Sequence, residues 1–144
     1  MKLSRHIAVS LVVSSIIYFI FHSPAAFFSS LAGGVLIDID HLADYFFQNG
    51  IDLRPGRFFE WCYCDKWQRL VLIMHSVELL FILWLVIWVF NLGLVWMAFA
   101  VGMSQHLVLD ILSNKRMKVI SYFFIFRCFR GFRKEHILRD RGGI

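Results

Sequence analysis

Long stretches of this chain have no basic residue at all. None lies between Arg5 and Arg54, or between Arg69 and Lys115. All fifteen lysines and arginines fall within residues 2–5, 54–69, 115–118 and 127–141. A net charge of +5 would suit a nucleic-acid partner, but this confinement excludes that reading, because basic residues that flank apolar runs are how a membrane protein places its charges. Cysteine is scarce, with only Cys62, Cys64 and Cys128. Cys-x-Cys is too tight for a relaxed disulfide or a zinc knuckle, and an odd count leaves one thiol over. The three are read as small, half-buried residues in a reducing compartment. No internal repeat and no low-complexity tract is present.

Apolar residues are abundant. Hydrophobic residues make up 59% of the chain, aromatics 17%, and the mean hydropathy is +0.66, against about 45–50% apolar in a soluble domain. A single domain of 144 residues cannot hide that much apolar surface inside itself, so lipid is its expected solvent. Four spans are predicted, at residues 6–22, 24–41, 70–90 and 92–112. The run before the first resembles a signal-peptide n-region, but the segment is read as a retained span. Residues 45–69 and 119–139 mix aromatics with charges and are expected to lie along the headgroups. The expected architecture is thus an all-α integral membrane bundle of about four helices with interfacial segments, in one domain over 1–144. With both termini in the cytosol, all fifteen basic residues face that side and the two outer turns carry none.

Ionisable groups inside a bilayer cost a few kcal/mol each, so each needs a reason. The candidates are His6, Asp38, Asp40, His41, Asp44, His75, Glu78, His106 and Asp110. Their spacing puts them on shared helical faces. Asp38 and His41 are three apart, Asp40 and Asp44 four, His75 and Glu78 three, while His106, Asp110 and Ser113 form one stripe. If residues 70–90 are helical, His75 stands roughly 9 Å above Arg69, and His106 about 13 Å above Lys115. All four helices then bring polar groups to the cytoplasmic leaflet. Mixed histidine and carboxylate donors from facing helices suit zinc, manganese or iron, and the number of donors suggests more than one ion. Asp44 is the weakest candidate, and Glu78 is a ligand, a general base or a partner that orients His75. His22 and His136 are read as ordinary hydrogen-bonded histidines, and Asp52, Glu60, Asp65, Glu135 and Asp140 as solvated charges.

The segments Gly33-Gly34-x3-Asp38-Ile39-Asp40-His41, His75-Ser76 and His106-x3-Asp110-x2-Ser113 resemble the inner-membrane metal-dependent hydrolase family, some of whose members are LexA-regulated. An N-terminal histidine of that family is matched by His6. The family is distantly like zinc-dependent phospholipase C. The resemblance implies a bacterial inner-membrane enzyme with His6, Asp38, Asp40, His41, His75, His106 and Asp110 as metal ligands. Two departures stand out. Ile37 replaces a proline of the pattern, and Leu70-Val71 replace a His-Arg pair, which removes one ligand and one phosphate-binding candidate.

The expected activity is hydrolysis of a lipid phosphoester in the cytoplasmic leaflet, with divalent metal, most simply zinc, as cofactor. Asp40 or Glu78 would act as general base, and Arg127 or Arg130 would bind the phosphate. The competing classes are a non-hydrolytic metal or haem protein of transport or redox type, and a structural partner protein. Four carboxylates beside the histidines argue against haem, which wants an apolar pocket.

Overall fold

In a computed structural model, which describes residues 3–64 and 66–139, the chain is helical, and no strand is formed among the described residues. Asp65, Asp140 and both chain ends lie outside the described residues. The elements are α1 (Leu3–Phe21), α2 (Pro24–Val35), α3 (Ile39–Asn49), α4 (Pro55–Tyr63), α5 (Val77–Val89), α6 (Leu94–Ser113), α7 (Phe124–Phe129) and α8 (Lys134–Ile137). Three stretches are long and apolar enough to cross a membrane: Ser4–Phe21, Pro24–Asn49 and Leu94–Ser113. Their outer faces carry bare apolar side chains, among them Phe19, Phe28, Trp96 and Leu112.

The second span is longer than expected. Ser23 caps α2, accepting from the Ala26 N–H at 3.3 Å, with Pro24 in the first turn. The helix then tightens to a 3-10 turn at Leu36–Asp38 and continues as α3 to Asn49. The third predicted span is shorter than expected. Only Val77–Val89 is helical, 13 residues, or about 20 Å of rise against roughly 30 Å of hydrocarbon. Residues 70–76 are irregular, and Leu72 has φ +45°. The cause is side-chain competition for their backbone, described below. Helical depth along residues 70–75 is therefore not how His75 is placed.

Small residues let α2 and α6 approach closely. A Cβ on Gly33 would overlap the Phe99 carbonyl oxygen, and one on Gly102 would overlap that of Ser30. Ala26 and Ala98 are buried in the same crossing, the small-residue packing that suits helices without a hydrophobic drive between them. Ser10 on α1 lies between its neighbours, its hydroxyl 3.2 Å from the Gly34 carbonyl and 3.1 Å from Gln105 Oε1.

The main core sits at the other end of the bundle, where α1 and α5 begin and α2 and α6 end. It joins Tyr45, Trp67, Leu70, Leu72, Leu107, Met117, Tyr122 and Ile137. A 3-10 turn at Val119–Tyr122 leads into α7, and Ser121, Tyr122 and Arg127 are buried. The chain then returns along itself through isolated bridges pairing Arg69 with Arg133 and Met117 with Leu138.

Candidate metal centre

Asp38 and Asp110 bring one carboxylate oxygen each to the histidines of α6 and of the irregular 70–76 segment. His75 Nε2 lies 3.5 Å from Asp38 Oδ1 and 3.5 Å from Asp110 Oδ2. His106 Nε2 lies at the same 3.5 Å from both. The four donors thus alternate, nitrogen and oxygen, around a ring whose four sides are each 3.5 Å. Donors about 2.1 Å from a central tetrahedral ion are separated by about 3.4 Å. These distances are long for hydrogen bonds, and the two Nε2 atoms are buried with no hydrogen-bond partner.

The far nitrogens are held in the way ligands require. His106 Nδ1 donates to the Gly34 carbonyl at 2.7 Å. A carbonyl only accepts, so Nδ1 carries the hydrogen, and in the neutral ring the lone pair is on Nε2. The 3-10 turn that follows is where α2 stops using its own carbonyls, which leaves that of Gly34 available. His75 Nδ1 faces Asp40 Oδ2 at 3.3 Å with the same consequence. A buried cluster of this kind could hold a divalent metal ion.

Two further histidines flank this cluster. His6 Nε2 is 3.1 Å from Asp110 Oδ1, and its ring stacks on His106 with centroids 4.1 Å apart. His6, His106 and Asp110 thus form a second group of donors sharing members with the first. His41 is half-buried, 3.9 Å from Asp38 Oδ1, with its ring 5.0 Å from that of His75.

A cavity of about 700 Å³ opens from this cluster. Its lining joins His6, Asp38, His41, Asp110, Asn114 and Arg116 with apolar residues including Leu36, Leu42, Phe46, Leu53 and Phe58. No family model, curated protein or solved structure matches this chain. What the site does has to be read from its own chemistry.

The other expected site residues stand elsewhere. Asp40 Oδ2 is engaged elsewhere, accepting from the Met74 N–H, from the His75 N–H at 3.1 Å and from the His75 ring. Asp44 Oδ2 accepts from Val71 and Leu72 N–H at 2.7 and 3.3 Å. Glu78 is fully engaged with Ser76 Oγ at 2.9 Å and with the N–H groups of Phe124 and Ile125 at 2.8 and 3.1 Å. It starts α7 and is remote from the cavity lining.

Neither expected arginine caps the opening. Arg127 is buried and donates to the Leu72 and His75 carbonyls at 2.8 and 3.2 Å. Burial draws its pKa below the usual arginine value, while the carboxylates of Glu78, Asp40 and Asp44 act the other way. Arg130 is exposed and lies over the Phe126 ring. The arginines that line the cavity are Arg54 and Arg116. Arg54 is tied to Asp52 at 2.8 and 2.9 Å. Spacing could not single out Arg116, because one basic residue in a flanking cluster has no periodic signature. Cys62 also lines the cavity, and burial, aided by the Asp38 charge, pushes its thiol up to about 12.

Proposed function

We propose that this chain is a membrane-embedded, metal-dependent hydrolase acting on a phosphoester of a lipid in the cytoplasmic leaflet. The observation that carries the reading is the cluster of Asp38, His75, His106 and Asp110, two of whose members, Asp38 and Asp110, line a largely apolar cavity. Two imidazoles with two carboxylates favour zinc, with manganese or iron as alternatives, over magnesium or calcium, which prefer oxygen donors alone. When bound, such an ion supplies Lewis-acid polarisation of a phosphoryl oxygen and neutralises carboxylates that lipid would penalise. Each histidine Nε2 lies 3.5 Å from both carboxylate oxygens, which leaves no room for a porphyrin between them, so a haem protein is disfavoured.

The protein's own groups would divide the remaining work. Apolar walls would take acyl or prenyl chain, placing the phosphoester against His41, Asp38 and Asp110. His41 is the cavity-lining base within reach of Asp38, and it replaces Asp40 and Glu78 as the group that would take a proton from water. Arg116, on the same cavity, would meet the phosphate oxygens in place of Arg127 and Arg130. The resemblance of the three motifs to inner-membrane metal-dependent hydrolases supports the same reading, as does the orientation expected from the basic residues.

The test is metal analysis of protein purified without added metal, followed by release of phosphate or headgroup from lipid phosphoesters in mixed micelles. Wild type should carry stoichiometric zinc, manganese or iron and should lose activity with a chelator. His106→Ala and Asp110→Ala should each lower bound metal and abolish turnover. Full metal occupancy in both variants, or a wild type that takes up no ion, would reduce the cluster to a structural His–Asp network.

A further inference from the structure

His75 sits on backbone that is not helical although it lies between apolar segments. Such backbone is tolerated at membrane depth only where protein satisfies its polar groups, since each bare N–H or C=O costs several kcal/mol in lipid. Beside backbone bonds such as that from the Leu70 N–H to the Phe132 carbonyl, three charged side chains supply much of that satisfaction here. Asp44 takes the N–H groups of Val71 and Leu72. Asp40 takes those of Met74 and His75. Arg127 takes the carbonyls of Leu72 and His75. Leu72 is buried and held at φ +45°, a left-handed conformation that a leucine adopts only when its surroundings enforce it.

We infer that Arg127 is a positioning residue for the metal centre, holding the 70–76 segment in the one conformation that presents His75 Nε2 to Asp38 and Asp110. This rests on the metal-centre reading above. The arginine is suited to it by shape. Its fixed fork meets two carbonyls three residues apart at once, which a lysine's single ammonium matches poorly. Its cationic charge also balances Asp40 and Asp44, the two carboxylates that grip the same segment from α3. Glu78 sets the register, because it holds the first two N–H groups of α7, the helix that carries Arg127. A ligand in the middle of the chain is thereby fixed by a tail segment 52 residues later.

The experiment compares wild type with Arg127→Met and Arg127→Lys in detergent, using two readouts. Amide hydrogen exchange of the metal-free protein should rise about tenfold in peptides covering 70–76 of the Met variant, while α6 peptides stay unchanged. Cobalt affinity should fall 10–100-fold, the usual effect of removing a group that orients a ligand, and the cobalt d–d spectrum should differ from that of wild type as His75 is lost from the donor set. Millimolar guanidinium should restore both in Arg127→Ala. Should the Met variant not fold, Arg127→Lys, which keeps the charge, gives an intermediate exchange rate and affinity. Unchanged protection at 70–76, or faster exchange spread equally over α6, would overturn the inference. If wild type binds no cobalt, the metal-centre reading fails, and the exchange data still decide whether Arg127 holds the segment.

Discussion

Cys62 shows how position alone separates three otherwise similar thiols. It is half-buried on the cavity wall, whereas Cys64 and Cys128 are exposed. With its pKa pushed up to about 12, only about one Cys62 in ten thousand is thiolate at pH 8, and the thiolate is the nucleophile. Iodoacetamide at that pH should therefore modify Cys64 and Cys128 and spare Cys62. Intact mass should show two additions to the folded protein and three after denaturation. Three in the native state would mean that the cavity wall is open there. The same dependence on surroundings explains which charged residues could be recognised from spacing. His106 and Asp110 share a helical face, and the structure brings both to one point. Asp40, Asp44 and Glu78 have equally regular spacing but face backbone N–H groups. An i, i+3 or i, i+4 pattern reports that carboxylates share a face, and says nothing of what stands opposite.

At the scale of elements, apolar runs located the helices α1, α2 and α6 well, because a span needs little beyond length and hydropathy. They failed for residues 70–76, where Leu-Val-Leu-Ile reads as the start of a span. That segment is held out of a helix by Asp40, Asp44 and Arg127, partners far away in sequence. The α2–α6 crossing is the element contact on which the site depends most. Gly102 faces the Ser30 carbonyl and the Gly34 N–H region, and a backbone neighbour cannot swing aside. Gly102→Ala should therefore destabilise by about 1–3 kcal/mol as an overpacked contact, or roughly 2–4 °C in melting temperature per kcal/mol at this chain length. It should also weaken metal binding, since α2 carries the Gly34 carbonyl that orients His106. Gly56→Ala on α4 is the control, with nothing within 4 Å of the added methyl. It should leave both properties alone or raise stability by up to about 1 kcal/mol, the helical preference of alanine over glycine. Equal melting temperatures for the two variants would mean that the crossing is looser than its distances state.

For the whole molecule, charge and apolar surface have to agree on one orientation. The described basic residues sit at the beginning of α1, in the 54–69 stretch, after α6 and in the tail, which is the end of the bundle holding the His–Asp cluster. The opposite end, at Ser23–Pro24 and Asn91–Gly93, has none. On the proposed orientation, with basic residues retained on the cytoplasmic side, the cluster would lie in the inner leaflet and both turns outside. Helix α5, at 13 residues, would then cross only with the irregular 70–76 segment completing its length. Topology reporters fused at Pro24, at Asn91 and after residue 144 test this directly. Those at Pro24 and Asn91 should report the outer side, and the one after residue 144 the cytosol. Pro24 and residue 144 on the same side would rule out an odd number of crossings after α1, and with it the four-span arrangement. If Asn91 alone reported the cytosol, α5 and α6 would not both cross, and the 13 residues of Val77–Val89 would be a buried hairpin arm, not a span. The cavity would then open to water instead of to lipid, and a soluble phosphoester would replace the lipid as the substrate to assay.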